Sequence, residues 1–250
     1  MIIKNGYVFI GERFTNKDLR ICDGLVKEIC EAGTIKPNDG EEIIDAKDKY
    51  VLPGLVEIHS HGRVGHDFNF ANENEIEEMC ISYAKCGVTS ILGTTMTNAP
   101  DKIESAMKTI GKYRKEKHPG AKLIGINMEG PFLGHDKKGA HDERYLRPTD
   151  IAWFKEMQDL SCGSIKLVSI DPRYEQTEDF IKYCLANNVR VSLAHTGCDY
   201  ETADKAAKAG ADHVTHLFNA MQPLLHRAPG LVGCAFDNNM FSEIICDGIH

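Results

Sequence analysis

Two rhythms of apolar and polar positions run along the chain. Residues 1–52 read as short strands and turns, with no helix-length period. Residues 1–10 alternate around an Asn5-Gly6 turn, residues 19–30 are strand-like on both sides of Asp23-Gly24, and residues 42–51 carry a third short apolar pattern. From Val51 onward, apolar β-branched runs alternate with helical stretches. Strands are predicted at 51–61, 89–95, 122–129, 164–170, 190–196, 212–218 and 241–247. Helices are predicted at 73–86, 100–117, 149–159, 175–187 and 201–209. Asn72, Asn98, Thr149 and Asp199 are cap or near-cap residues, and Gly87 and Gly210 stand where helices stop. Such alternation implies parallel strands with right-handed crossovers, covered on both faces. The expected organisation is a small β part over 1–52 and a larger α/β part over 53–250.

The polar residues choose between a barrel and a doubly wound sheet. Nearly every predicted strand ends in a residue capable of chemistry: His59 and His61, Thr94-Thr95, Glu129, Asp171, His195, His216, Asp247. Convergence of many strand ends on one place is a barrel signature. No G-x-G-x-x-G follows the first strand, which argues against the Rossmann option.

Charge and composition then remove classes of partner. Thirty-seven acidic against 29 basic residues give a net charge of −8, the wrong sign for a nucleic-acid binder. No apolar run approaches the roughly 20 residues of a bilayer-spanning helix. The first residues, Met1-Ile2-Ile3-Lys4-Asn5-Gly6, lack a secretory h-region. Nine cysteines cannot all pair, and none forms C-x-x-C, so reduced buried thiols and a cytoplasmic location are expected.

His59-Ser60-His61 is an H-x-H at a strand end. Alternate strand residues face the same way, so both imidazoles can reach one ion. Alone this pattern is common, and a polar strand end explains it equally well. Glu129, His195 and His216 stand at three further strand exits. Individually each reads as a turn acid or a structural histidine. Together, two histidines and a carboxylate make a catalytic metal set with an open position, and His59 and His61 add enough ligands for two ions sharing a carboxylate. His213 lies three residues from His216 and reads as non-ligating. Backbone N–H groups at Asn219 and Ala220 can meet an anion, Arg227 offers a fixed positive fork, and His141 sits in a loop able to cover the site.

The chain resembles the N-acetylglucosamine-6-phosphate deacetylases of the amidohydrolase superfamily. The matching segments are Pro53-Gly54 through His59-Ser60-His61-Gly62, Met128-Glu129-Gly130-Pro131-Phe132, Lys138-Gly139-Ala140-His141, Ala194-His195-Thr196, His216-Leu217-Phe218-Asn219-Ala220-Met221, Arg227-Ala228-Pro229-Gly230 and Asp247-Gly248-Ile249-His250. The resemblance implies a TIM-like barrel with a small β-sandwich, a homodimer, and one or two divalent ions, zinc or iron. It puts the primary ligands on Glu129, His195 and His216, with His59 and His61 as a second set. It puts the phosphorylated amino sugar on His141, the backbone at Asn219 and Ala220, Arg227 (across the dimer interface) and His250. The implied reaction releases acetate and glucosamine 6-phosphate.

The family's acid/base aspartate follows the Asp-Gly-Ile-His segment, and the sequence here supplies seven barrel strands. The expectation is therefore a truncated deacetylase, weakly active or inactive, poorly soluble through exposed strand edges, and with no assigned catalytic acid. Asp247 on the seventh strand approaches from another direction and is not an obvious substitute. The rivals are a dihydroorotase-like amidohydrolase, disfavoured because Lys166 stands near the start of its strand, and a non-catalytic sugar-phosphate binder.

Overall fold

Strand-forming residues in the first part build one five-stranded sheet. In a computed structural model describing residues 1–250, the chain divides into two units, Met1–Leu55 and Val56–His250. The first unit contains β1 (Ile2–Ile10), β2 (Arg13–Cys22), β3 (Leu25–Glu31), β4 (Ile43–Asp45) and β5 (Tyr50–Val51). β1 pairs antiparallel with β2, β2 antiparallel with β3, and β4 and β5 both lie parallel to β1. Asp23 and Gly24, both at positive φ, make the two-residue turn between β2 and β3. The turn expected at Asn5-Gly6 is instead a bulge inside a continuous β1, where the register shifts and Asn5 takes φ 61°. The fully buried Asp18 carboxylate is satisfied by the backbone N–H groups of Asn5, Gly33 and Ile35. Tyr7, Phe9, Phe14 and Tyr50 pack into an exposed aromatic cluster.

The second unit alternates strands and helices. Its strands are β6 (Leu55–Ser60), the hairpin of β7 (Gly62–Arg63) and β8 (His66–Asp67), then β9 (Val88–Thr95), β10 (Lys122–Glu129), β11 (Ile165–Ile170), β12 (Arg190–Leu193), β13 (His213–Val214) and β14 (Phe241–Ser242). The helices are α1 (Glu73–Ala84), α2 (Pro100–Tyr113), α3 (Ile151–Leu160), α4 (Thr177–Ala186), α5 (Tyr200–Ala209) and α6 (Gly230–Asp237). Seven strands form one sheet in the order β14-β13-β12-β11-β10-β9-β6, and each successive pair from β9 to β14 runs parallel. β6 and β14 are its opposite ends. Nevertheless His59 on β6 and Glu243 just after β14 are hydrogen-bonded at 2.6 Å. A flat sheet cannot bring its two ends together, so this one is curled into a half-barrel.

Sequence patterning explains the helices. Asn72 and Glu75 form a complete capping box on α1. Asp150, rather than the expected Thr149, caps α3, and Asp199 caps α5. Asn98 is not the cap of α2: Ala99 stands there, with Pro100 pre-setting the first turn. Gly210 ends α5 in the left-handed conformation. Apolar helix faces meet the sheet around Phe132, Phe154 and Phe180, all fully buried and in edge-to-face contact. Each such burial contributes about 1.5–3 kcal/mol. All nine cysteines are free. Cys80, Cys184, Cys198 and Cys234 are buried as expected, but Cys86, Cys162 and Cys246 are exposed. No helix is long and apolar enough to cross a membrane.

Two predicted strands are much shorter than the pattern implied. The 212–218 run pairs only at His213–Val214, because His216 and Phe218 turn left-handed (φ 34° and 77°). The 241–247 run pairs only at Phe241–Ser242, so Asp247 is not on a strand.

Candidate metal centre

Strand exits, not strand interiors, carry the site. Glu129 ends β10, His59 lies near the end of β6 with His61 just beyond it, His195 follows β12 by two residues, and His216 follows β13 by two. His195 and His216 both adopt positive φ, 45° and 34°. Neither is a glycine, and such backbone costs about 1–3 kcal/mol unless its surroundings enforce it. The left-handed turns swing both imidazoles toward Glu129.

The Glu129 carboxylate is nearly fully buried, and five imidazoles surround it. Its Oε1 lies 3.3 Å from His195 Nε2 and 3.2 Å from His216 Nε2. Its Oε2 lies 3.1 Å from His61 Nε2, 3.6 Å from His59 Nε2 and 3.5 Å from His141 Nε2. The carboxylate thus bridges two half-sites. These six side chains line one cavity of about 850 Å³, together with Glu57, His213 and Glu243. Beneath it, Thr94, Asn127, Ser169, Ser192 and Thr215 are all fully buried, and the Ser192 and Ser169 hydroxyls bond that of Thr215.

Hydrogen bonds to the outer ring nitrogens fix the tautomers. A carbonyl only accepts, so His195 Nδ1–H donates to Lys137 O (2.7 Å) and His216 Nδ1–H donates to Asn219 O (3.1 Å). His59 Nδ1–H donates to the Glu243 carboxylate. In neutral rings this leaves the Nε2 lone pairs of His195 and His216 directed at Glu129. His141 is the reverse case. Its Nδ1 accepts the Thr97 backbone N–H (3.3 Å) and lies 2.9 Å from the Thr97 hydroxyl, so its proton sits on Nε2. His141 therefore presents a donor to the cavity, whereas neutral His195 and His216 present acceptors.

Electrostatics follow from that crowding. Burial opposes charging His59, yet the Glu129 and Glu243 carboxylates outweigh it and raise its pKa to about 10. Burial likewise disfavours the Glu129 anion, but its histidine neighbours, His141, His195 and His216 foremost, hold its pKa well below the usual carboxylate range. Burial lowers the pKa of His141 despite Glu129.

The set fits a divalent cation. His195 and His216 Nε2 atoms stand 3.0 Å apart, and those of His59 and His61 3.4 Å. The His195 and His216 lone pairs, facing each other at 3.0 Å, repel unless a positive charge lies between them. Four ligand atoms held tetrahedrally at 2.0–2.1 Å from zinc stand about 3.3–3.4 Å from one another, which the His59–His61 separation matches and the His195–His216 separation falls slightly below. His59, His61 and Glu129 group geometrically as one candidate set, and Glu129, His141 and His195 as another. On the tautomers, His216 rather than His141 completes the second.

The remaining predicted residues lie elsewhere. Asn219 N–H is already given to His216 O (2.9 Å), so it is not the free anion donor expected, and the Asn219 carbonyl instead holds His216. Ala220, at φ 53°, accepts from Thr196 N–H. Arg227 is exposed and lines a separate cavity of about 580 Å³ with Tyr200, Gln222 and Pro229. His250 is exposed and bonds Asp247, outside the site. The His141 side chain is buried against Glu129. Sequence reading missed Glu243, Thr97 and the carbonyls of Lys137 and Asn219. Glu243 alone had a signal, a carboxylate inside the last predicted strand.

No family model matches the chain. It is 35% identical over its whole length to the N-acetylglucosamine-6-phosphate deacetylase of Bacillus subtilis (strain 168), covering 61% of that protein. It is 30% identical over 93% of its length to an N-acetylgalactosamine-6-phosphate deacetylase of Escherichia coli O157:H7, covering 60% of it. The crystal structure of N-acetylglucosamine-6-phosphate deacetylase from Pasteurella multocida superposes on the entire chain with a TM-score of 0.90 at 26% identity, and the chain covers 65% of it. The chain thus spans about three fifths of the length of the curated relatives it matches. Over that span, where the glutamate and histidines converge, the chain's curated and structural neighbours consistently name N-acetylglucosamine-6-phosphate deacetylase, a member of the amidohydrolase superfamily.

Proposed function

We propose that this chain carries the metal centre of an enzyme that hydrolyses the N-acetyl group of N-acetylglucosamine 6-phosphate, giving acetate and glucosamine 6-phosphate. One observation carries the reading: a buried carboxylate flanked by imidazoles, of which His195 and His216 are tied down at Nδ1 so that their lone pairs converge on it. Glu129, His195 and His216 hold one divalent ion, zinc or iron, and His59 and His61 with Glu129 offer a place for a second. When bound, the metal supplies Lewis acidity, polarising the acetamide oxygen and making water nucleophilic near neutral pH.

The chain's own residues do the rest. His141 Nε2–H donates to the acyl oxygen as negative charge grows there, and the Thr97 N–H keeps that proton on Nε2. Burial keeps His141 neutral, so it donates without adding a cation to the centre. The leaving amine needs a proton. The cavity's carboxylates are Glu57, Glu129 and Glu243; each is engaged, by His59 N–H, by the histidines and by His59 Nδ1–H respectively. The reading therefore places the proton donor outside these three.

In the same reading the half-barrel is the greater part of a TIM-like barrel over 53–250, and residues 1–52 belong to a β-sandwich. The protein is a cytoplasmic homodimer in which Arg227 meets the phosphate bound by the partner subunit; its position in a separate exposed cavity supports that role. Ala220 and His250 complete the sugar-phosphate contacts in this reading, and Asn219 joins them only by releasing its N–H from His216 O. The 30% identity to a galactosamine-type relative makes the C4 epimer the second substrate to try.

The test is acetate release from both epimers with zinc, with iron(II) and with chelator, beside metal content. Metal-dependent release, or stoichiometric metal uptake lost in Glu129→Gln and His216→Asn but kept in His141→Asn, is the expected result. A chain that takes up no metal, or a Glu129→Gln variant that binds it as tightly as the parent, sinks the reading.

A further inference from the structure

Asp171 directly follows β11 but does not line the metal cavity. Its carboxylate, nearly fully buried, accepts from Thr196 Oγ1 (2.7 Å), from Arg173 N (3.0 Å), and from the Arg173 guanidinium at Nε (3.0 Å) and Nη2 (2.6 Å). The same guanidinium reaches on to Asp136, in the 3-10 turn His135–Lys137. That turn presents the Lys137 carbonyl to His195 Nδ1–H. Arg173 therefore ties three segments together: the exit of β11, the exit of β12 through Thr196, and the loop after β10. Gly134 N–H closes the arrangement by donating to His195 O (2.9 Å).

Two glycines make room for it. A Cβ on Gly134 would collide with the Asp171 carboxylate, the Arg173 guanidinium and His195 O, and one on Gly197 would collide with the Asp136 carboxylate. A salt bridge on an outer loop needs no such fit. Half-exposed ion pairs contribute little stability, so packing this close is better explained by placement than by energy.

We infer that Arg173, clamped between Asp171 and Asp136, is a positioning group that holds the Lys137 carbonyl against His195 and so fixes the tautomer in which His195 Nε2 faces Glu129. The inference rests on the metal reading only for what that nitrogen then binds. Arg173, Asp171 and Asp136 touch neither metal nor substrate. Losing an outer partner of a ligating histidine typically costs 10–100-fold in metal affinity.

The variants are Arg173→Gln and Asp136→Ala. Asp136 is half-exposed, so its truncation leaves the core untouched, and circular dichroism checks the fold of each. Two readouts are needed: the imidazole 15N shifts of His195 without metal, assigned with His195→Gln, and the zinc dissociation constant. The parent chain is expected to show His195 protonated at Nδ1. Arg173→Gln and Asp136→Ala are expected to shift it toward the Nε2–H form and to weaken zinc binding 10–100-fold. A His195 that stays Nδ1-protonated in both folded variants overturns the inference whatever zinc does. A parent chain that binds no zinc refutes the metal reading instead, and the nitrogen shifts still decide the role of Arg173.

Discussion

A histidine side chain is chemically undecided until something takes one of its nitrogens. His59, His195 and His216 are decided by acceptors, His141 by a donor, and that difference divides ligands from hydrogen-bond donor within one cavity. Cysteine shows the complementary effect of burial. It pushes the Cys184 and Cys198 thiols up to about 12 and Cys234 to about 11, against an ordinary 9.0. At pH 8 these three should resist a thiol reagent while exposed Cys86, Cys162 and Cys246 react at once; mass spectrometry of the partly labelled chain reads the order. Rapid labelling of Cys184 in the native protein would contradict this. The linked effect has a definite sign. Above pH 9 the unfolded chain loses thiol protons that the folded chain keeps, so this stabilisation is full below pH 9 and is lost as pH rises toward 11–12. The ligand types were legible because His and Glu at strand exits are uncommon together. Their partners were not, since a backbone carbonyl such as Lys137 O leaves no mark in sequence.

Helices were read well where local rules decide and poorly where they do not. The Asn72–Glu75 box and the Gly210 stop are local chemistry, visible within a few residues. Replacing Asn72 by Ala should cost about 1 kcal/mol in urea unfolding, and no change in midpoint would mean that α1 is held by packing alone. The core is less forgiving. Phe180→Ala removes a ring touching both Phe132 and Phe154 and should cost about 3–5 kcal/mol. α6 went unpredicted because Gly230 and Gly233 weaken its helical pattern, whereas in the fold it packs Leu231, Val232, Cys234 and Ala235 into the core. The last two strands were overestimated for the opposite reason. Their apolar runs satisfy the strand pattern, but the left-handed turn at His216 and the early end of β14 are settled by tertiary contacts.

At the level of the molecule, the parallel order of the seven-stranded sheet followed from strand–helix alternation. Its curl did not, because curvature is set by packing between strands far apart in sequence. The exposed aromatic cluster of the N-terminal sheet was equally hidden: alternation shows that a face is apolar, not whether anything covers it. If a divalent ion binds the folded site alone, zinc at 100 times its dissociation constant should stabilise the chain by about 2.7 kcal/mol, and chelator should reverse the rise in melting temperature. A melting curve indifferent to zinc would argue against a site formed only on folding. The bond between His59 and Glu243 carries this further, into the order of assembly. It joins residues 184 apart in sequence, whereas Glu129, His195 and His216 lie within one stretch of consecutive parallel strands. Closing the longer loop costs more chain entropy. The half of the centre built on β10, β12 and β13 can therefore form first, while the half that includes His59 waits for the ends of the sheet to meet. That seam is then also the first part of the sheet to open, and amide exchange around β6 should outpace exchange in β10 and β11.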